Sequence, residues 1–334
     1  MVWRACKFVI LCLTVLAAAA NARGQEPATG GTSGEAAAIL SAAREALGGD
    51  ARISSLKTVI AEGRTRQVQG ENLVPIEFEI SIELPDKYVR TDEIPARESG
   101  PNSRGFNGDG LIQVGDAPGG GARRGGPPPG GPPAAAPRAG GAPAGTPPSP
   151  TIPVKQDFVK LTLGMFATSF SSYPLTFGYA GQAEAPEGKA DVLDVKGAGN
   201  FSARLFIDSK SRLPLMLSWT TPPNLVAVVP GGKPPENMAP GSVTFETPVP
   251  PGASATPEER KQFEQDALAA REKAMKSAKP TENRIYYADY REVSGHKFPF
   301  RIRRAVGATT LEETIFDRFR INPKIDPRRF EARK

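Results

Sequence analysis

Few side chains in this chain have the type and spacing needed for chemistry. His296 is its one histidine, and it sits in the short Ser294-Gly295-His296-Lys297 link. With no second histidine, no His-x-x-x-His and no Gly-x-Ser-x-Gly, the hydrolase triads and the histidine metal sites fail together. A lone histidine in a turn is expected at the surface. Asp289 and Glu292 could exchange protons, but three residues apart on a strand they face opposite ways and form no pair. Asp208 ends a strand beside Ser209-Lys210-Ser211-Arg212, an ordinary place for a turn aspartate. Gly119-Gly120-Gly121 follows a strand, yet no helix follows to aim amide groups at a phosphate, so the triplet is no phosphate loop. Cys6 and Cys12 are the only cysteines. These residues predict no enzyme, no cofactor and no metal site.

Both cysteines lie in Met1–Ala22. Arg4 and Lys7 precede a largely apolar run, Phe8–Ala20, and Ala20-Asn21-Ala22 is an A-x-A cleavage site. This pattern predicts a secretory signal peptide cut after Ala22. The run is shorter than the about 20 residues a spanning helix needs. The mature chain would then be cysteine-free in a compartment where disulfides can form, and would rest on its core alone. Losing Arg4 and Lys7 lowers the formal charge from +6 to +4, too weak a bias for a nucleic-acid binder. No later stretch is apolar enough to be a membrane anchor.

The elements follow from periodicity. After a polar leader, 23–33, expected to be disordered, Glu35–Leu47 reads as an amphipathic helix closed by Gly48-Gly49. Leu56–Thr65, Val74–Leu84 and Lys87–Glu93 read as strands. In Val74–Leu84 the apolar set Val74, Ile76, Phe78, Ile80, Ile82 and Leu84 alternates with Glu77, Glu79, Ser81 and Glu83. A short pair follows around Gly105–Asp109 and Leu111–Val114. Asp157–Ser171 reads as a helix apolar nearly all round, and therefore buried. Lys189–Lys196, Phe201–Asp208 and Leu213–Thr220 form a meander, with Leu213, Leu215, Leu217 and Trp219 on one face. Tyr286–Asn322 forms another, in which Phe298, Phe300 and Ile302 alternate with Pro299, Arg301 and Arg303.

Two insertions interrupt what reads as one domain over 34–330. Residues 117–150 hold 11 Pro and 10 Gly among 34 residues, a loop with no core of its own, expected to be disordered. Residues 221–280 begin Pro-rich and continue from Thr256-Pro257-Glu258-Glu259, a capping-box start, into a charged helix to about Lys279 with a thin stripe of Phe263, Ala267, Ala270 and Ala274. The remaining 200 or so residues predict an α+β fold: a curved antiparallel sheet, an incomplete barrel, wrapping helices.

Ala42-Ala43-Arg44-Glu45-Ala46-Leu47-Gly48-Gly49 and then Leu56–Gly63 resemble the opening of periplasmic LolA/LolB-like proteins. Asp208 with Leu213-Pro214-Leu215, and Asp289-Tyr290-Arg291-Glu292-Val293-Ser294-Gly295-His296-Lys297-Phe298-Pro299, are similar to that family's later strands; Asn322–Phe330 is similar to its closing segment. The resemblance implies a periplasmic half-barrel whose concave face, lidded by helices, holds a lipid or lipoprotein acyl chain. It also admits sensor and adaptor domains that bind an envelope protein. Candidate cavity residues are Phe78, Ile80, Ile82, Phe158, Met165, Phe166, Leu205, Leu215 and Leu217. Sequence alone allows them to line a cavity or to fill a dry core, since both are apolar. Arg301 and Arg303 share one strand face, as do Arg318 and Arg320; if the faces coincide they form a basic patch suited to anionic headgroups.

Overall fold

The computed structural model describes residues 33–69, 72–95, 100–115, 149–185, 188–236, 238–252 and 254–331. The leader and the signal peptide expected in 1–33 lie outside these residues except for Ser33. Of the Pro/Gly-rich loop 117–150, only Ser149 and Pro150 lie inside. In chain order the elements are α1 (Ser33–Leu47), α2 (Asp50–Ser55), β1 (Thr58–Gln69), β2 (Asn72–Glu83), β3 (Lys87–Glu93), β4 (Asn102–Asn107), β5 (Gly110–Val114), α3 (Ile152–Phe166), β6 (Thr176–Ala185), β7 (Gly188–Gly197), β8 (Phe201–Asp208), β9 (Pro214–Thr221), β10 (Asn224–Val228), β11 (Ser242–Glu246), α4 (Pro257–Ser277), β12 (Thr281–Val293), β13 (His296–Val306) and β14 (Thr309–Ile321), ending in a 3-10 turn, Pro327–Phe330.

Twelve strands form one antiparallel sheet in the order β5-β4-β3-β2-β1-β14-β13-β12-β9-β8-β7-β6. The first and last long strands are neighbours at its centre. Asn322 secures that joint, its Oδ1 accepting from the Lys57 amide at 2.8 Å and the Thr58 amide at 3.3 Å. The chain leaves the sheet at one edge, β5, and re-enters at the other, β6, so α3 must cross between them. Its first turn touches both sides. Lys155 Nζ reaches Asp109 Oδ1, in the β4–β5 turn, at 2.9 Å, while Gln156 Nε2 donates to the Ala198 carbonyl, in the β7–β8 turn, at 3.4 Å. A flat sheet of twelve strands spaced about 4.8 Å apart could not bring those turns to one helix. The sheet is therefore curled around α3 without closing, the incomplete barrel expected from the sequence.

Alternation places one apolar face inward on nearly every strand. Val59 and Ala61, Phe78, Ile80 and Ile82, Tyr88, Phe106, Leu193 and Val195, Leu205 and Ile207, Leu217, Tyr287, Phe298, Phe300 and Ile302, and Phe316 and Phe319 join Leu40, Ala43 and Leu47 of α1 and most of α3 in one buried cluster. On the reverse face a smaller cluster of Ile60, Val89 and Ile112 is covered by Ile325 and Phe330 of the closing segment.

Helix α3 starts five residues earlier than the sequence pattern suggested and stops five earlier. Pro153 suits its first turn, and Ala167 ends it in a left-handed conformation, φ 46°. Phe170, beyond the helix, still packs on Phe158 and Phe166, with ring centroids at 5.7 and 5.9 Å. Two tyrosines of β12 hold α3 in place. Asp289 sits at φ 55° between Tyr287 and Tyr290, and the pairing with β13 keeps the same offset on either side of it. The left-handed backbone at that one residue interrupts the alternation, so both tyrosines face the helix despite their odd spacing. Tyr287 Oη donates to the Lys160 carbonyl, and Tyr290 Oη donates to the Gly164 carbonyl at 2.8 Å.

The insertion between β9 and β12 carries a two-stranded parallel sheet, β10 with β11, and α4. Thr256 caps α4 with the full capping box: Glu259 N donates to Thr256 Oγ1 at 3.2 Å, and Thr256 N donates to Glu259 Oε2 at 2.7 Å. No residue of α4 is buried. No helix among the described residues is long and apolar enough to cross a membrane.

Candidate functional site

Eight of the nine candidate cavity residues, Phe78, Ile80, Ile82, Phe158, Met165, Phe166, Leu205 and Leu217, lie together in the buried cluster. Leu215 does not join them and is 40% exposed. The β8–β9 register shifts between Phe206 and Ile207, so Ile207 pairs with Pro214 and Leu215 is left over. That bulge breaks the expected alternation of Leu213, Leu215, Leu217 and Trp219.

Most of this interior is packed. One open part lies under α3: a cleft of about 240 Å³. Val154, Asp157, Lys160 and Leu161 of α3 form one wall, at spacings of three and four residues that put them on one helix face. Ile80, Tyr88, Ile285, Ile302 and Phe316 form an apolar floor, and Gln67, Arg90, Asp92, Arg104, Arg304 and Glu312 surround the mouth. Of the nine candidates only Ile80 touches this cleft; the mouth was not anticipated at all.

The polar groups of the mouth are largely held. Arg90 Nε donates to Asp92 Oδ1 at 2.7 Å, and Arg90 Nη2 donates to Thr65 Oγ1 at 3.1 Å. Thr65 and Thr314 share a hydrogen bond at 2.8 Å across β1 and β14. The Arg90 guanidinium lies 4.6 Å from the Phe78 ring centre. Burial works against its charge, but the Asp92 carboxylate more than offsets this and keeps Arg90 a firm cation. Arg304 pairs with Glu312 at 3.4 Å, Gln67 donates to the same carboxylate at 3.4 Å, and Lys160 pairs with Asp157 at 3.1 Å. Burial pushes the phenols of Tyr88, Tyr287 and Tyr290 upward, so they stay protonated donors and are not bases.

The acid–base candidates are engaged elsewhere. Asp289 and Arg291 form an exposed pair at 2.5 Å, and Asp208 Oδ2 accepts from the Ser211 amide at 2.5 Å, as a turn aspartate does. Among the described residues no cluster of His, Cys, Asp or Glu could hold a metal ion. The arginine patch is not one unopposed field. Arg318 and Arg320 both clamp Glu62, at 2.6 Å each. Burial tends to raise the Glu62 carboxyl, but hydrogen bonds and charge from both arginines outweigh it and hold Glu62 below the usual range. Arg303 lies over the Tyr286 ring at 4.5 Å and pairs in register with Glu313, while Arg301 stands opposite Ile315.

His296 corrects the surface expectation: it is 4% exposed. The α1 C-terminus covers it, and Gly48 there is so close that a Cβ would meet the Gly295 carbonyl oxygen at 2.4 Å and His296 Nδ1 at 3.3 Å. Burial lowers the imidazole from its usual 6.5; a hydrogen bond with the Arg52 backbone pulls the other way, and the Arg52 charge adds to the lowering. The unfolded chain therefore binds the proton first as pH falls through about 6.5, and stability drops below that pH. The slope of unfolding free energy between pH 7 and 5, measured by urea titration, should be smaller in His296→Gln than in the native chain. Equal slopes would show that His296 titrates alike in both states.

No family model matches this chain, and no curated protein matches it. Its fold is similar to that of a LolA superfamily protein from Nitrosomonas europaea, at 10% identity and a TM-score of 0.45, covering 89% of this chain and 97% of the other. A protein described as an outer membrane lipoprotein-sorting domain, from Vibrio parahaemolyticus, is similar at 8% identity and a TM-score of 0.44, covering 90% and 97%. A DUF1329 family protein from Desulfovibrio piger is similar at 5% identity and a TM-score of 0.36, covering 89% and 97%.

Proposed function

We propose that this chain is a non-catalytic binding protein of the bacterial periplasm, and that it receives the acyl part of a lipid or lipoprotein under α3. The observation that supports this reading most is the cleft itself, an apolar floor on the concave side of the sheet beneath a helix, with charged groups on the helix wall and around the mouth. The signal-peptide pattern of Met1–Ala22 supports the compartment.

Each methylene buried from water contributes about 0.8 kcal/mol. Micromolar binding, about 8 kcal/mol, therefore calls for about ten of them before any polar contact is counted. At about 240 Å³ the cleft is smaller than the roughly 300–1,000 Å³ of drug-sized sites. A long chain would lie partly along the mouth or move α3 outward.

Uptake of a fluorescent fatty acid by the mature chain, with native mass spectrometry of protein purified from its own envelope, tests this reading. Leu161 lines the cleft from α3 and is only half-buried. Leu161→Trp should fill the space with little effect on folding and weaken uptake at least tenfold. Unchanged uptake would place the ligand elsewhere. A native chain that arrives empty and takes up nothing would remove the acyl reading. The second reading, an envelope adaptor for a protein partner, would then lead, because α4 leaves Leu268 and Met275 exposed on an outlying element.

A further inference from the structure

The change from apolar floor to charged mouth takes a single step on each of three strands. Tyr88 pairs in register with Phe106, and two residues along the same face Arg90 pairs with Arg104. On β13 the same step runs from Ile302 to Arg304. One two-residue step, about 7 Å of strand, thus carries each of these strands from apolar to cationic.

The charges at the mouth do not cancel. Four cations, Arg90, Arg104, Lys160 and Arg304, face three carboxylates, Asp92, Asp157 and Glu312. Each carboxylate holds one cation: Asp92 has Arg90, Asp157 has Lys160 and Glu312 has Arg304. Arg104 is left over, half-buried, with no hydrogen-bond or ion-pair partner among the described residues. It also stands directly opposite Arg90, and like charges placed so destabilise a sheet. An arrangement that costs the empty fold stability, with a spare guanidinium turned into a cleft, suits a ligand that brings its own negative charge.

We propose that the cleft is specific for an amphipathic anion, whose carboxylate or phosphate pairs with Arg104 while its alkyl chain lies on the Ile80, Tyr88 and Ile302 floor. This rests on the acyl-binding reading and adds the ligand's charge to it. Arginine supports the assignment because its planar fork meets either oxyanion through two parallel N–H donors. Lys160 and Arg304 are already engaged by their own carboxylates.

The test uses the full mature chain and displacement of a fluorescent fatty acid by palmitic acid, hexadecanol, hexadecyl phosphate and inorganic phosphate. Palmitic acid should bind at least tenfold more tightly than hexadecanol, at a pH where it is ionised. Arg104→Gln should bring palmitic acid down to the alcohol's affinity and leave hexadecanol unchanged. Without ligand, Arg104→Gln should melt at the same temperature as the native chain or higher, because the opposed pair with Arg90 is relieved. Hexadecyl phosphate binding more tightly than palmitic acid would identify a phosphate headgroup as the preferred anion. Inorganic phosphate displacing the probe at comparable concentration would identify a free anion on Arg104 as sufficient. Equal affinity for acid and alcohol, or equal losses of both in Arg104→Gln, would overturn the assignment while leaving the acyl reading in place. If neither amphiphile nor either phosphate binds, both fall together.

Discussion

Phe298→Ala is expected to lower the unfolding free energy by about 3–5 kcal/mol, in the range for deleting a buried aromatic ring. Phe298 has no exposed surface. Its ring stacks on Phe319 of β14, with centroids 4.4 Å apart and planes 14° apart, and meets the edge of Phe166 of α3 at 6.0 Å. It therefore ties the sheet centre to the crossing helix. Its neighbours cannot close over the void without breaking contacts of their own: Phe319 also packs on Phe300 and Phe316, and Phe166 packs on Phe170. Against a total of about 5–15 kcal/mol for a typical domain, such a loss is large. At about 2–4 °C per kcal/mol for a domain of this size, the melting temperature should fall by on the order of 10 °C. Urea denaturation with an unchanged slope and a loss below about 1 kcal/mol would show that the site collapses freely.

Alternation made the long strands legible. Val74–Leu84, Phe201–Asp208 and Phe298–Arg303 each have one wet and one dry face in sequence, and β2, β8 and β13 lie there. Strand β6, Thr-Phe-Gly-Tyr-Ala-Gly-Gln-Ala-Glu-Ala, has no such pattern. It is an edge strand, short of large apolar residues, and its register on β7 shifts between Tyr179 and Gly181. Its pairing with β7 defines it, and pairing between strands is not written in either one. The same holds for β10 and β11, which meet in parallel across an intervening stretch of Pro and Gly. Helix α3 was legible as buried, but its end was not, because an alanine in the left-handed region leaves no compositional mark.

The mouth of the cleft was harder to see for a different reason. Arg90, Asp92, Arg104 and Arg304 have the strand parity of Tyr88, Phe106 and Ile302, and strict alternation puts them inside. Charged residues at strand ends read as solvated, and nothing local says that a helix passes over them. That depends on β5 and β6 lying at opposite edges of the sheet, a fact of topology. The two faces of β13 show the difference within three residues: Arg303 lies outside over Tyr286, and Arg304 lies inside on Glu312.

Topology also makes Gly164 the most demanding position of α3. Glycine inside a helix costs about 0.5–1 kcal/mol relative to alanine, so propensity alone would replace it. A Cβ at 164 would stand 2.3, 2.4 and 2.8 Å from three ring carbons of Tyr287. That ring is buried, and its hydroxyl is held on the Lys160 carbonyl one turn back, so it cannot swing aside without losing a buried hydrogen bond. Gly164→Ala should destabilise by about 1 kcal/mol, the overpacking partly offset by helix propensity, and Gly164→Leu by about 3 kcal/mol, near the top of the usual overpacking range. The collision is with one partner, so the effect should be coupled to it. In the Tyr287→Leu background, Gly164→Ala should cost little or become favourable, giving an interaction energy of at least about 1 kcal/mol in the double-mutant cycle. Additive effects, with Gly164→Ala equally costly whether or not the Tyr287 ring is present, would show that glycine is required at 164 by the helix backbone and not by its seat on the sheet.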